Sequence, residues 1–251
     1  MKIAIVTGGS SGIGRAAALE LGKRGVGVIL TYLTNQDRAD AVVREIEKDS
    51  GIRAAALRLD LARQSTFDAF VRDVEEVLPE LWSRTTFDYL VNNGGNGSPM
   101  AFQEMSEEYF DRILDTNFKG PVFLTQRLVG LMENGGAIVN TSSTARGRVF
   151  PGFSAYGSLK AALTSWTRYV AKELAPRRIC VNSVSPGPTH SNFGDGLFDK
   201  DPEFIKLLAE QSVFGRIGVP EDVGKVIASL LSDDFGWVTA QDIEVSGGHL
   251  L

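Results

Sequence analysis

The stretch Ile3-Ala4-Ile5-Val6-Thr7-Gly8-Gly9-Ser10-Ser11-Gly12-Ile13-Gly14 decides the fold of this chain. Its first four residues are apolar and favour a buried strand, and the amphipathic stretch after Gly14 favours a helix. The glycines between them predict a turn in which backbone N–H groups and the helix N-terminus attract an anion. The stretch therefore indicates a phosphate-binding site, although a glycine-rich turn without a ligand has the same local pattern.

Apolar runs alternate with amphipathic stretches along the rest of the chain. This alternation predicts an α/β fold, a doubly wound Rossmann-type sheet of seven parallel strands with helices on both faces. The predicted strands are 3–7, 27–31, 54–59, 89–92, 137–141, 180–185 and 242–245. The predicted helices are 14–24, 36–48, 64–78, 106–118, 120–133, 154–174 and 220–231.

Composition limits the possible functions. With 251 residues, 43% apolar and 23% charged, and with no linker-like tract, the chain is predicted to form a single domain over residues 1–251. A single cysteine excludes an internal disulfide framework. With only two histidines in addition to it, the chain has too few cysteines and histidines for a zinc-type cluster. A net charge of −5 argues against nucleic acid as a partner. Without an apolar run of about 18 residues, we expect a cytoplasmic protein that acts on a small molecule without a metal or a membrane.

Two segments depart from the regular alternation. Residues 79–87, which include Trp82, are longer than a minimal loop and are expected to carry an extra turn of unknown role. Residues 186–212 are rich in Gly, Pro and Phe and precede a short helical stretch. This second segment is long enough to act as a substrate lid.

Tyr156 and Lys160 are four residues apart and therefore share one face of a predicted helix. An ammonium about 4 Å from a phenolate, at an effective dielectric constant of about 20, stabilises it by about 4 kcal/mol. This energy corresponds to about three pKa units, so Lys160 is expected to bring the pKa of Tyr156 from about 10 towards neutrality. Taken alone, the pair fits an ordinary contact on an amphipathic helix better, and only Ser143 and the glycine turn reverse that interpretation.

Four ordered motifs relate the chain to a known family. The glycine turn is followed by Asn92-Asn93-Gly94-Gly95, by Ser143 thirteen residues before Tyr156, and by the Tyr-x-x-x-Lys pair. With these motifs the chain resembles the short-chain dehydrogenase/reductase family over nearly its whole length, and most of all the 3-oxoacyl-thioester (acyl carrier protein) reductase type. The resemblance implies an oxidoreductase that interconverts a ketone and a secondary alcohol by hydride transfer.

The same resemblance implies the catalytic roles. Ser143, rather than the neighbouring Ser142, is expected to hydrogen-bond the substrate carbonyl while Tyr156 donates the proton. Lys160 is expected to hold the nicotinamide ribose as well as to lower the pKa of Tyr156. Asn117 is expected to bend its helix and to hold a water on the proton path. The expected catalytic residues are Asn117, Ser143, Tyr156 and Lys160.

Residues 31–35, at and just after the end of the second predicted strand, indicate which cofactor binds. This segment lacks the acid that binds the ribose 2′-hydroxyl in NAD enzymes, which favours NADP(H) over NAD(H). Ser10, Ser11, Thr34 and Asn35 are candidate donors to a 2′-phosphate, and Arg38 is a weaker one. By the resemblance Asp60 binds adenine, although taken alone it is equally a helix N-cap. The expected cofactor-binding residues are Gly8, Ser10, Ser11, Gly12, Ile13, Gly14, Tyr32, Thr34, Asn35, Asp60, Leu61, Asn93, Gly94, Tyr156, Lys160, Pro186, Gly187, Thr189 and Ser191.

The substrate wall is predicted to be largely apolar. The expected substrate-contacting residues are Gly95, Asn96, Ser143, Phe150, Phe153 and Phe193. Further candidates for this wall are Arg146, Leu197, Phe198 and Phe204. Several of the phenylalanines fit packing of the lid or a subunit contact equally well. His190 is interpreted as a solvated loop residue rather than an acid–base group.

Two other functions and the assembly state complete the sequence-based interpretation. A nucleotide-binding regulator without turnover would not need Asn117, Ser143, Tyr156 and Lys160 together. An enoyl reductase of the same superfamily is disfavoured because those relatives place tyrosine and lysine farther apart. By the resemblance, the helices that begin near Gly120 and Ser154 are expected to pack against partner subunits in a homotetramer or homodimer.

Overall fold

Seven parallel strands form one sheet in the part of the chain that the structure describes. This structure, a computed structural model, describes residues 1–191, 193–196 and 200–251. The strands are β1 (Ile3–Val6), β2 (Gly27–Tyr32), β3 (Ala54–Arg58), β4 (Phe87–Asn92), β5 (Met132–Thr141), β6 (Cys180–Pro186) and β7 (Asp242–Val245). The helices are α1 (Gly12–Lys23), α2 (Gln36–Ser50), α3 (Phe67–Trp82), α4 (Glu107–Leu114), α5 (Gly120–Leu128), α6 (Ser154–Leu174), α7 (Pro202–Glu210) and α8 (Pro220–Leu230).

The order of strands in the sheet is β3-β2-β1-β4-β5-β6-β7, which confirms the predicted doubly wound Rossmann-type fold. All four residues of β1 are buried, as its apolar run requires, and β1 pairs in parallel with both β2 and β4. Helices α1, α2 and α8 bury one face of the sheet, and α3, α5 and α6 bury the other. Because the chain order reverses between β1 and β4, the carboxyl ends of these two strands border the crevice where such folds bind ligands.

Side chains fix several helix starts. The side chains of Asn35, Ser106 and Asp201 accept backbone N–H groups in the first turns of α2, α4 and α7, respectively. The predicted helix 106–118 ends as an α-helix at Leu114 and continues as a π-helical turn, Asp115–Lys119. This widened turn contains a residue of the candidate site.

The predicted helix 64–78 ends one turn too early, and the extra turn expected in residues 79–87 is a continuation of α3. Helix α3 continues through Pro79 to Trp82 and ends at Ser83, which has a left-handed backbone with φ of 52°. The Trp82 indole packs against Gly27, where an added Cβ would lie 2.6 Å from Nε1. This segment therefore closes the core at the start of β2.

Residues 186–212 include the short 3-10 turn Phe193–Gly196 and helix α7. Phe204 lies half-buried on α7, whereas Leu197 and Phe198 lie outside the described residues. Across the described ranges, every helix is too short or too polar to pass through a bilayer.

Candidate active site

The glycine turn is shaped by close backbone contacts. Gly8 has φ of 65°, and its N–H donates to Thr31 Oγ1 on β2 at 3.1 Å. An added Cβ on Gly14 would lie 2.3 Å from the Gly8 carbonyl oxygen, so a side chain at this position would push the turn apart. Gly12, at the start of α1, is open, and an added Cβ there would meet only Ser191 at 3.7 Å. Ser191 therefore lies directly beside the start of α1.

The loop after β4 forms the other side of this crevice. Thr7 Oγ1 accepts the N–H groups of Asn93 and Gly94, each at 2.9 Å, and thereby joins this loop to the end of β1. An added Cβ on Gly94 would lie 2.7 Å from Leu61 Cδ1. Because Gly94 has no side chain, the Leu61 side chain can pack against its backbone.

At the end where adenosine is expected, two of the predicted side chains form hydrogen bonds within local turns. Asp60 Oδ1 accepts Ala62 N–H at 3.0 Å, a contact within a turn, and Oδ2 lies 3.4 Å from Arg63 Nε. Asn35 Oδ1 accepts the backbone N–H of Arg38 at 2.9 Å. Asn35 therefore caps α2 and keeps only its amide NH2 as a donor. Tyr32 is half-buried and Thr34 is exposed beside it, at the end of β2.

Sequence reasoning missed Arg58. It is the last residue of β3, and its Cα is paired with that of Tyr32 in the sheet register. Its Nε donates to the Leu33 carbonyl at 3.2 Å, which places the guanidinium beside the end of β2. The signal was available in principle, because parallel strands that end together bring their last residues side by side.

Residues 186–191 form the nicotinamide end of the expected site. Gly187 N–H donates to the Val245 carbonyl at 3.0 Å, and an added Cβ would lie 2.8 Å from Ser246 Cβ. Thr189 is buried, and Ser191 Oγ lies 3.3 Å from the Thr189 carbonyl oxygen. This segment is thus fixed to the end of β7 and lies opposite the glycine turn.

The predicted catalytic side chains lie together at the start of α6. Tyr156 and Lys160 are 8% and 4% exposed, and the Ser143 side chain lies beside Tyr156, close enough to lower its pKa. Lys160 Nζ donates to the Thr141 carbonyl at 2.8 Å and lies 5.4 Å from the centre of the Tyr156 ring. Ser142 instead donates to the Lys160 carbonyl at 3.0 Å. Ser143, rather than Ser142, therefore contacts Tyr156.

The expected lowering of the pKa of Tyr156 by Lys160 is wrong for this arrangement. Burial raises the pKa of Tyr156 far above its usual value, and the hydrogen bond from Ser143 lowers it only in part. Burial also lowers the pKa of Lys160 to about 8. Both groups lose hydration when they are buried, and this loss favours the neutral form of each. At neutral pH Tyr156 is therefore a protonated phenol.

Asn117 lies in the π-helical turn and is fully buried. Its Nδ2 donates to the Asn96 carbonyl at 2.8 Å and to the Ile113 carbonyl at 3.0 Å. Asn117 Oδ1 is buried and has no hydrogen-bond partner among the described residues. An added Cβ on Gly95 would lie 2.7 Å from this oxygen and 3.7 Å from Lys160 Nζ. Asn117 Oδ1 and Lys160 Nζ thus border one small space under Gly95.

Aromatic rings surround Tyr156. The ring of Phe193 is centred 5.0 Å from that of Tyr156, and Phe153 meets Tyr156 edge-on at 6.2 Å. Two other candidates for the wall turn elsewhere, because Phe150 stacks on His249 at 6.1 Å and Arg146 Nε pairs with a carboxylate of β7 at 2.6 Å. Among the described residues, the wall beside Tyr156 therefore includes the aromatic rings of Phe153 and Phe193.

These residues fit a dinucleotide. The cradle at Gly8 and Gly14 leaves no space for side chains, and α1 begins at its edge with unpaired N–H groups. Ser191 lies beside Gly12, whereas Lys160 lies beside Tyr156, where a nicotinamide ribose would be held. The pair Ser143 and Tyr156 is arranged for proton donation to an oxygen of a second ligand.

Comparison with known proteins shows the family. A family model described as enoyl-(acyl carrier protein) reductase matches residues 8–249. The 3-oxoacyl-[acyl-carrier-protein] reductase FabG of Staphylococcus epidermidis is 35% identical over 250 residues, 98% of each chain. The angucycline C-6 ketoreductase LanV with bound NADP superposes with a TM-score of 0.94 at 39% identity, covering 99% of this chain and 95% of that one. LugOII, described as a promiscuous reductase of lugdunomycin biosynthesis, gives 0.94 at 38% identity, covering 100% and 98%.

The chain belongs to the short-chain dehydrogenase/reductase family and is an oxidoreductase. The predicted family and enzyme class are confirmed.

Proposed function

We propose that this protein is an NADP(H)-dependent reductase that converts a ketone into a secondary alcohol. The observation that carries the proposal is the contact between half-buried Ser143 and buried Tyr156, one helical turn from Lys160. This contact lies at the same edge of the sheet as the glycine turn. A regulator that only bound the nucleotide would need the turn but not a serine placed beside a buried tyrosine.

Bound NADPH would supply the hydride. The Ser143 hydroxyl would hydrogen-bond the substrate oxygen, and Tyr156 would give it a proton. A raised pKa suits this role, because the phenol is protonated at neutral pH. The pKa of Lys160, about 8, lets this side chain release and regain a proton near neutral pH and so replace the one lost by Tyr156. Asn117 Oδ1, which borders the same space, is placed to hold a water on that path.

The 2′-phosphate of NADP(H) would bind at the end of β2. Ser10, Ser11, Thr34 and the Asn35 amide supply neutral donors, and the Arg58 guanidinium supplies the positive charge. Titration of the protein with NADPH and NADH in parallel, followed by nicotinamide fluorescence, tests this preference. We expect tighter binding of NADPH, and tighter binding of NADH would overturn the assignment.

The aromatic wall favours a planar aromatic ketone as the substrate. The Phe153 and Phe193 rings are stacked, with centres 6.4 Å apart and planes 19° apart, beside Tyr156. A fused ring system gains more from such faces than a thin acyl chain does. LanV, an angucycline C-6 ketoreductase, and LugOII, which catalyses keto-reduction at C1 during lugdunomycin biosynthesis, are consistent with this class.

The second candidate class is 3-oxoacyl thioesters, favoured by the 35% identity to FabG. Reduction of a two-ring aryl ketone and of acetoacetyl-coenzyme A, with NADPH oxidation as the signal, separates the two classes. We expect kcat/KM to favour the aryl ketone by about tenfold or more, and Phe193→Leu to reduce that preference. The reverse preference in the unmodified protein would assign the thioester class.

Three further expectations concern the architecture. We propose one domain over residues 1–251, with 186–212 as the substrate lid. We also propose a homotetramer or homodimer through α5 and α6, because Phe123 and Tyr169 are 43% and 69% exposed on these helices. Light scattering should give a multiple of the chain mass, and Phe123→Glu should reduce it. A monomer in the unmodified protein would overturn the assembly proposal.

A further inference from the structure

Two arginine–carboxylate pairs join the loop after Ser143 to β7. Arg146 Nε lies 2.6 Å from Asp242 Oδ2, and Arg148 NH1 lies 2.9 Å from Glu244 Oε1. The arginines are two residues apart, and so are the carboxylates. Because alternate residues of a strand point to the same face, β7 presents both acids to this loop.

The first pair is the more buried. The Asp242 side chain is 8% exposed, whereas that of Arg146 is 28% exposed. Asp242 also accepts the hydroxyls of Ser183 at 2.6 Å and Ser185 at 2.8 Å, and Arg146 Nε donates to Ser185 at 2.8 Å. A buried carboxylate is costly unless its oxygens are engaged, and here both oxygens have partners. Asp242 is therefore a fixed anchor for Arg146.

The other side of the loop is held against α6. Ser143 is followed by a single 3-10 turn, Thr144–Arg146, in which the Ala145 N–H donates to Ser143 Oγ at 3.1 Å and the Arg146 N–H donates to the Ser143 carbonyl at 3.1 Å. The Ala145 carbonyl packs on Gly157, where an added Cβ would lie 2.7 Å from the oxygen. Gly157 follows Tyr156 directly. The turn is thus held between the catalytic tyrosine and the Asp242 anchor.

We propose that Arg146 is a positioning residue that, anchored on Asp242, fixes Ser143 relative to Tyr156. The inference rests on the proposed keto reduction, in which Ser143 and Tyr156 must reach the same substrate oxygen. A displacement of about 1 Å in such an arrangement costs up to about 100-fold in rate. The Arg146 guanidinium itself turns away from Tyr156 and serves the reaction only through the turn.

The test compares Arg146→Met and Arg146→Lys with Arg216→Met. Arg216 forms a similar pair with Asp222, 2.7 Å long, at the start of α8. We expect Arg146→Met to lower kcat by about 10- to 100-fold with the KM for ketone and the NADPH Kd within about twofold. Arg146→Lys, which keeps a cation for Asp242, should recover part of the loss, and Arg216→Met should leave kcat unchanged. An unchanged kcat in Arg146→Met would overturn the proposal.

A second readout does not depend on turnover. Hydrogen exchange should be faster in Arg146→Met at the amides of residues 145–148 and unchanged along α6. Asp242→Asn, which keeps an acceptor for both serine hydroxyls, should give the same pattern if the first variant does not fold. If the wild-type protein reduced no ketone, only the proposed function would be refuted. Hydrogen exchange would still test whether the Arg146–Asp242 pair anchors the turn. Unchanged exchange at 145–148 in the folded variant would refute the anchor.

Discussion

The glycine turn and the Ser143 turn lie at the same edge of the sheet, but they are held in different ways. The glycine turn is shaped by backbone contacts within residues 8–14 and by bonds to the neighbouring strand. The Ser143 turn depends on side chains distant in sequence, above all the pair Arg146–Asp242, which spans 96 positions. The first arrangement is visible as a motif, whereas the second exists only after the chain has folded.

The comparison predicts that each region can be damaged separately. Tyr156→Phe should remove proton donation and leave the glycine turn intact, so kcat should fall by about 100- to 10,000-fold with the NADPH Kd within about threefold. Steady-state kinetics and nicotinamide fluorescence measure the two quantities. Tyr89→Phe is the matched control, because Tyr89 is also buried and its pKa is raised to about 12. Loss of kcat in both variants would mean that the effect is not specific to Tyr156.

Gly14→Ala should instead damage the glycine turn and weaken cofactor binding. Its methyl group would overlap the Gly8 carbonyl, so the turn must open and the NADPH Kd should rise by about 30-fold, equivalent to about 2 kcal/mol. Gly130→Ala is the control, because an added Cβ there meets nothing within 4 Å. Equal Kd values for the two variants would show that the turn does not hold the cofactor.

Arg58→Gln tests the edge of the cofactor region. Loss of the guanidinium should raise the NADPH Kd by about tenfold and leave the NADH Kd within about twofold, because only NADPH carries the 2′-phosphate. Arg53→Gln, at an exposed position paired with Glu47, is the control. Equal weakening of both cofactors would remove Arg58 from the phosphate site.

The smallest expected effect is a pH dependence of the free energy of unfolding that comes from His249. His249 is buried and stacks on Phe150, and burial lowers its pKa, with Arg148 adding to the effect and Glu244 opposing it. The folded state therefore favours neutral His249. Its contribution is present above the unfolded pKa of about 6.5 and is lost as pH falls towards the lowered pKa of the folded state.

Urea unfolding at pH 5, 6 and 7 should show a fall in the free energy of unfolding towards low pH. The part due to His249 cannot exceed about 1.4 kcal/mol per pH unit. His249→Gln should remove that part, whereas His190→Gln should keep it. The same pH dependence in all three proteins would exclude His249 as its source.

The sequence predicted what depends on local pattern. The alternation of elements, the β1–α1 turn and the spacing of Ser143, Tyr156 and Lys160 follow from apolar periodicity and from motifs that occupy one segment each. The strand order was also accessible, because parallel crossovers follow few topologies. These features need no knowledge of which distant side chains meet.

The remaining features depend on three-dimensional packing. Burial overrides the expected effect of Lys160 on the pKa of Tyr156, and the extent of that burial is not written in a local motif. Arg146 was expected in the substrate wall, but its guanidinium instead pairs with Asp242 on the edge strand β7. The predicted helix ended at residue 78, yet α3 continues to Trp82, whose indole packs on Gly27.

The central claim is tested most directly by tracing the transferred hydride. NADPH carrying deuterium at the transferred position of the nicotinamide is incubated with a two-ring aromatic enone, and the product is analysed by mass spectrometry and NMR. The account predicts one deuterium on the carbinol carbon of an allylic alcohol whose double bond is intact. Deuterium on the carbon β to a retained carbonyl would show enoyl reduction and would contradict the assignment of Ser143 and Tyr156 to a ketone oxygen.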